Sequence, residues 1–118
     1  MPDYEAAIKG QLALKGIPKL RAQDSDKPLQ SIVYAKVFGA GRYTFFITEF
    51  DGDDHVFGYC LSGLGPDCDE WGYASVREWE TLPLPMLMEV DSHFEPQTMV
   101  SALQQIHRNG LAGTEQYA

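Results

Sequence analysis

The spacing of apolar residues divides the chain into two helical segments on either side of a run of strands. Between Asp3 and Lys15, Tyr4, Ala7, Ile8, Leu12 and Leu14 form an imperfect helical stripe. Asp3 is placed to cap its start, with Glu5 in the first turn. Gly16 and Pro18 end the helix, because glycine suits a left-handed cap and proline cannot continue the ladder. Residues 21–29, RAQDSDKPL, are polar and turn-rich and read as a loop. From Ser31 to Phe38 the pattern alternates, with Val33, Ala35 and Val37 on one face and Ile32, Tyr34, Lys36 and Phe38 on the other. A short Gly39-Ala40-Gly41 turn leads into Tyr43–Phe50. There Tyr43, Phe45 and Ile47 load one face, and Phe46 and Phe50 the other. That second strand is expected at the centre of a sheet, covered by a helix on one side and by neighbouring side chains on the other.

Asp51-Gly52-Asp53-Asp54 then interrupts the apolar run. Asp-Gly is a favoured tight-turn pair, so residues 43–61 predict a β-hairpin with the third strand at 55–61. Residues 62–69 form a loop and 70–74 a short strand. Ser75-Val76-Arg77-Glu78 has the capping-box spacing and predicts a helical turn to Glu80, ended by Pro83 and Pro85. Residues 86–94 alternate as a last strand. Pro96 opens a second helix over 96–108 with Met99, Val100, Leu103 and Ile106 on one stripe, and Asn109-Gly110 closes it before a frayed tail, 109–118. The expected fold is a single α+β domain over residues 1–118. It has an antiparallel meander of about four or five strands, with the 3–15 and 96–108 helices packed on it.

Composition sharpens this picture through the distribution of charge. The 118 residues are 44% hydrophobic and 12% aromatic, enough for a packed core, and carry a net charge of -8. Residues 1–48 hold seven Lys/Arg against four Asp/Glu, whereas residues 49–95 hold only Arg77 against twelve acids, a segment charge of -11. Phosphate recognition needs clustered Lys and Arg, so direct nucleic-acid binding is not expected. The N-terminal sequence MPDYEAAIKG lacks the charged and apolar regions of a secretory signal. No apolar run nears the ~18 residues that span a bilayer. A cytoplasmic protein with Cys60 and Cys68 as reduced thiols is expected, and the two are not at zinc-site spacing.

Several groups can be weighed for chemistry. Asp51, Asp53 and Asp54, with Glu49 and His55 nearby, resemble an oxygen-rich cation loop by residue type. The calcium-loop pattern fails, however: glycine comes second, not sixth, and position twelve is Ser62. A solvated turn is the better account, and no metal or cofactor is expected. Glu49 follows Tyr43, Phe45 and Ile47 on one face, so its carboxylate is either desolvated enough for acid–base work or reaches water or Lys36 at the strand end. The second alternative is preferred, since nothing adjacent supplies a nucleophile and base together. His55, His93 and His107 lack metal-ligand spacing, and no phosphate loop, dinucleotide fingerprint or nucleophile elbow occurs. Asp67, Asp69 and Glu70 precede Trp71-Gly72-Tyr73. Acids beside aromatics make a partner-binding surface, or else Trp71 and Tyr73 belong to the core and the acids blunt a sheet edge.

Taken in order, these segments resemble a family of small bacterial proteins designated domain of unknown function 2958. Ile17-Pro18-Lys19-Leu20 matches its early Leu/Ile-Pro-x-Leu, and Ile32–Phe38 its aromatic-ended strand. The run from Tyr43 through Asp51 matches an aromatic-Thr-aromatic-aromatic-x-x-Glu-aromatic-Asp pattern. Phe57-Gly58-Tyr59 and Glu70-Trp71-Gly72-Tyr73 match its Phe-Gly and Glu-x-Gly-Tyr steps. Glu89 and Asp91 fall where the family has Glu-Arg-Asp, with Val90 in place of the arginine, which argues against an ion pair there. The resemblance covers residues 17–96. It implies a mobile-element setting, on plasmids and integrative elements, and no defined activity.

The expected function is that of a non-enzymatic interaction protein, an acidic accessory or anti-defence factor of a mobile element that binds a protein partner. Asp51, Asp53, Asp54, Asp67, Asp69, Glu70, Trp71 and Tyr73 are the candidate contact residues. The acidic segment can present phosphate-like charge to a basic surface. The competing expectation is a metal-dependent hydrolase or other small enzyme using Glu49, Asp51 and His55.

Overall fold

The computed structural model describes residues 4–39, 43–63, 68–82 and 88–108, with side chains from residue 8 to residue 106 of these. Helix α1 runs Tyr4–Ala13. Ile8 and Leu12 are buried in the core, whereas Leu14, assigned by its spacing to the stripe, lies past the helix end and is 87% exposed. Gly16 takes a positive φ of 67°, the left-handed conformation that its place after the helix requires. Asp3 lies outside the described residues.

Strands β2 (Ala35–Phe38), β3 (Thr44–Phe50), β4 (His55–Leu61), β5 (Glu70–Ser75) and β6 (Glu89–Val90) form one sheet in the order β5-β4-β3-β2-β6, antiparallel throughout. The fold is α+β with an antiparallel meander. All seven residues of β3 are buried, as a central strand needs. Helices α1 and α2 (Val76–Glu80) join one face of the sheet through Ile8, Leu12, Val76 and Trp79. Helix α3 (Met99–Arg108) covers the other through Met99, Ala102, Leu103 and Ile106. Both faces of the sheet therefore carry a helix, where a helix on one side only was expected.

Two local breaks reverse the expected side-chain faces. The predicted strand 31–38 is interrupted at Tyr34, whose N–H donates to the Ile47 carbonyl at 2.9 Å. Strand β1 (Ile32–Val33) pairs instead with β7 (Gln97–Thr98) in a separate two-stranded sheet. Val33 thus packs under α3, while Ala35 and Val37 pack under α1. In β3 the register to β4 shifts between Ile47 and Glu49. This bulge inserts Thr48 and reverses the alternation after it. Phe50 consequently joins Phe45 and Ile47 in the α1 core. Glu49, opposite Phe57, takes the face of Phe46 and Tyr59.

The chain after Glu80 also departs from the expected pattern. Of the predicted strand 86–94, only Glu89–Val90 is a strand. Asp91 then turns the chain, with the Phe94 N–H donating to the Asp91 carbonyl at 3.2 Å and the His93 N–H to Asp91 Oδ1 at 2.9 Å. The second helix begins at Met99 rather than Pro96, because Gln97 and Thr98 are held extended against β1. The Met99 N–H donates to Ser31 O at 2.8 Å. Ala40 and Gly41 of the first turn, Pro83, Pro85, Met86, Leu87 and the tail 109–118 lie outside the described residues. Among the described residues, no helix is long and apolar enough to cross a membrane.

Candidate functional site

The acids of the 51–54 turn are structural to different degrees. Gly52 takes a φ of 87°, which a side chain would strain, and the turn closes around the Asp51 carboxylate. Asp51 Oδ1 accepts from the backbone N–H groups of Asp53 and Asp54 at 2.8 Å each and of His55 at 3.1 Å, and the His55 ring lies 3.3 Å from Oδ2. Burial alone would raise the Asp51 carboxyl, but these donors outweigh it and hold it below its usual range. Asp53 is exposed and pairs with Lys9 at 2.8 Å, tying the turn to α1. Asp54 is buried. It accepts from the Arg77 backbone N–H at 2.7 Å and from the Ser75 hydroxyl at 2.8 Å, while its own carbonyl accepts from Val76 N–H at 2.8 Å. Ser75 caps the same helix by accepting from Glu78 N–H at 3.2 Å. The expected solvated turn is thus corrected at Asp54, whose largely buried carboxylate acts as a second N-terminal cap of α2.

Glu49 is likewise engaged, with neither water nor Lys36. It is 2% exposed, and its two carboxylate oxygens accept from the backbone N–H of Arg21 at 2.7 Å and of Gln23 at 2.8 Å. Arg21 holds a φ of 70° at this contact. The Gln23 side chain completes the clamp, donating to the carbonyls of Ile32 and Thr48 at 2.9 Å and accepting from Ile32 N–H at 2.7 Å. Thr48 Oγ1 donates to Phe57 O at 3.1 Å, so the Thr48 hydroxyl and carbonyl and the Glu49 carboxylate at the bulge are all paired. Of the three residues considered for hydrolytic chemistry, the fold joins Asp51 to His55 and commits Glu49 to the 21–23 loop. Among the described residues, no three His, Cys, Asp or Glu side chains gather as a metal ion would need. Cys60 and Cys68 are free thiols. Burial pushes the Cys60 thiol up, which keeps it protonated at neutral pH and unsuited to nucleophilic work.

The aromatic candidates lie together. Strand β5 is one edge of the sheet, and its register on β4 places Tyr73 opposite Phe57 and Trp71 opposite Tyr59. The Phe57 ring stacks on Trp71 with centroids 5.9 Å apart and meets Tyr73 at 4.9 Å, and Trp71 meets Tyr59 edge-on at 5.3 Å. Tyr59 is buried, Phe57 and Trp71 are half-buried, and Tyr73 is 61% exposed. These rings stand on the α3 side of the sheet and run from core to solvent along one surface. Glu70, exposed, begins the strand, and Asp69 beside it accepts from the Ser62 backbone N–H at 3.0 Å. Asp67 lies outside the described residues.

A second feature sits at the opposite edge of the sheet, where the sequence gives no motif. A cleft of about 340 Å³ opens between the 91–97 segment and α3, lined by Lys36, Asp91 and the half-buried Phe94, with the buried Phe46 behind it. Lys36 Nζ lies 3.8 Å from Asp91 Oδ2, an ion pair that the absence of arginine at position 90 argues against. The sequence shows only a lysine alternating with Ala35 and Val37 and an aspartate at the start of a local turn, and the pairing of β2 with β6 brings the two together.

A family model described as Protein of unknown function (DUF2958) matches residues 10–111. The chain belongs to this family. The match extends beyond the 17–96 core to include the last four residues of α1 and all of α3. No curated protein and no solved structure matches the chain.

Proposed function

We propose that this DUF2958 protein is a non-enzymatic interaction protein that binds a basic protein partner through the edge strand β5 and the aromatic surface it shares with β4. The observation that carries the reading is Tyr73, 61% exposed at the solvent end of the Phe57–Trp71 stack. A tyrosine anchored by a half-buried ring is the type of residue that dominates binding energy at interfaces. An edge strand adds unpaired backbone groups to which a partner segment can attach. The charge of -11 over residues 49–95, with Glu70 exposed on this strand, selects a basic partner and repels an acidic one. The same proposal extends to setting: an accessory or anti-defence factor of a mobile element, acting in the cytoplasm on a host or element protein.

The test is affinity capture with the full chain and, in parallel, with Tyr73→Ser and Glu70→Lys, each at low and high salt. The reading expects one basic protein retained by the parent chain, lost with Tyr73→Ser, and weakened by Glu70→Lys and by salt as screening shortens charge attraction to about 8 Å at physiological ionic strength. Retention indifferent to both substitutions would remove β5 as the interface.

A further inference from the structure

The cleft at the opposite edge of the sheet from β5 supports a separate inference. Its volume of about 340 Å³ lies within the roughly 300–1,000 Å³ of small-molecule sites. Its lining divides into two chemistries. The accessible apolar part is the half-buried Phe94 ring, packed against the buried Phe46 with centroids 6.0 Å apart and backed by Ala102 and Ile106 of α3. The wall holds one charge of each sign, Lys36 and Asp91, with side chains each 26% exposed. At 3.8 Å their separation is beyond a hydrogen bond, so Lys36 and Asp91 Oδ2 are incompletely satisfied by each other, while Asp91 Oδ1 accepts from the His93 backbone N–H at 2.9 Å. His93, Glu95 and Gln105 stand exposed around the rim.

A ligand carrying a single charge cannot improve this pair. A lone carboxylate drawn to Lys36 would be pressed against Asp91, and a lone ammonium drawn to Asp91 would be pressed against Lys36. A ligand with both charges on adjacent atoms can place its carboxylate on Lys36 and its ammonium on Asp91, so that each partly buried group gains a partner of opposite sign. The Phe94 ring beside the pair then takes an uncharged side chain and suits an aromatic one. We infer that this cleft is a binding site for a free α-amino acid zwitterion with an apolar or aromatic side chain, its head group held by Lys36 and Asp91 and its side chain laid on Phe94.

The experiment is an amide NMR titration of the full chain with L-phenylalanine to about 10 mM, which nearly saturates a site with a Kd of ~1 mM. Phenethylamine, which keeps only the ammonium, and hydrocinnamate, which keeps only the carboxylate, are titrated in parallel. The inference expects saturable shifts confined to residues around Lys36, Asp91 to Gln97 and Gln105. Affinity should fall at least about tenfold for each analogue and for Lys36→Met and Asp91→Asn in otherwise unchanged spectra. Because the analogue comparison uses the unaltered protein, it decides the matter even if a variant fails to fold. No saturable shift with L-phenylalanine would overturn the inference, as would an equal response to either analogue or shifts centred on β5.

Discussion

Gln23 donates its backbone N–H to Glu49 Oε2 at 2.8 Å, and through this bond the 21–23 loop closes over the bulge in the central strand. Arg21 N–H takes the other carboxylate oxygen at 2.7 Å, and the Gln23 side chain takes the carbonyls of Thr48 and Ile32. A bulge in a fully buried strand leaves backbone groups without ladder partners, and each unsatisfied group costs about 1–3 kcal/mol. Gln23 supplies one of them from outside the sheet by donating to the Thr48 carbonyl, and Glu49 holds in place the loop that carries Gln23.

The first prediction follows from this clamp. Glu49→Ala removes the acceptor of two backbone donors and is expected to destabilise the protein by about 3 kcal/mol. Glu49→Gln keeps one acceptor oxygen and should cost about 1 kcal/mol. Urea unfolding measures both. A cost for Glu49→Ala below about 0.5 kcal/mol would mean that water replaces the carboxylate without penalty and that the clamp does not hold the bulge.

Two glycines paired across β4 and β5 give a second prediction with opposite outcomes. A Cβ built on Gly58 would overlap the backbone carbonyl oxygen of Phe46, whereas one on Gly72 meets nothing within 4 Å. Gly58→Ala must therefore displace the central strand and is expected to cost about 2–3 kcal/mol or more. Gly72→Ala has room and an ordinary backbone, and reducing the freedom of the unfolded chain should leave it neutral or stabilised by about 0.5 kcal/mol. Thermal melts of the two variants side by side check this, and equal effects would contradict the close approach of β4 to β3 at Gly58.

Much of this fold is legible along the chain, and the exceptions have local causes. Period-two aromatic runs around Asp51-Gly52 identify the central hairpin, and Ser75 with Glu78 marks the start of α2. The faces of Phe50, Glu49 and Val33 are not legible. A one-residue bulge at Thr48 and a break at Tyr34 reverse alternation without altering residue type, and both are stabilised by groups distant in sequence. The same holds for Asp54, which looks like one more acid of a polar turn until α2 is folded against it. At the candidate site, Trp71-Gly72-Tyr73 is visible as a motif, but the gradient from buried Tyr59 to exposed Tyr73 depends on how far α3 reaches across the sheet. The Lys36–Asp91 cleft joins residues more than fifty positions apart and leaves no spacing to detect.

Acid should weaken the junction between the hairpin turn and α2. The Arg77 backbone N–H, opposed by burial and aided by the Ser75 hydroxyl, holds the Asp54 carboxyl below its ordinary 3.8. A carboxyl whose native value lies below its unfolded value contributes fully above the unfolded value, near pH 4. That contribution is lost as pH falls through the lower native value. Asp54→Asn keeps the size and an acceptor but not the charge. It is expected to lose about 1 kcal/mol at pH 7, in line with the loss of a helix N-cap, and to show a shallower fall in stability below pH 4. Melting temperatures of parent and variant from pH 7 to pH 2.5 test this, and parallel curves would place the acid sensitivity elsewhere.

Tyr73 and Trp79 distinguish a surface anchor from a core residue of similar chemistry. Trp79 is 5% exposed and meets Phe45 edge-on at 5.4 Å beneath α2, so Trp79→Ala empties a core site and should cost about 3–5 kcal/mol. Tyr73 gives up its ring contact with Phe57, and Tyr73→Ala should cost about 1 kcal/mol or less. If β5 is the interface, the small stability change at Tyr73 must accompany the loss of partner retention. A conservative Tyr73→Phe change, which keeps the ring on Phe57, should restore most of the binding. A Tyr73→Ala variant that unfolds would instead make this ring part of the core and leave β5 without an anchor. Binding that survives in a folded Tyr73→Ala protein would move the interface away from the aromatic surface altogether.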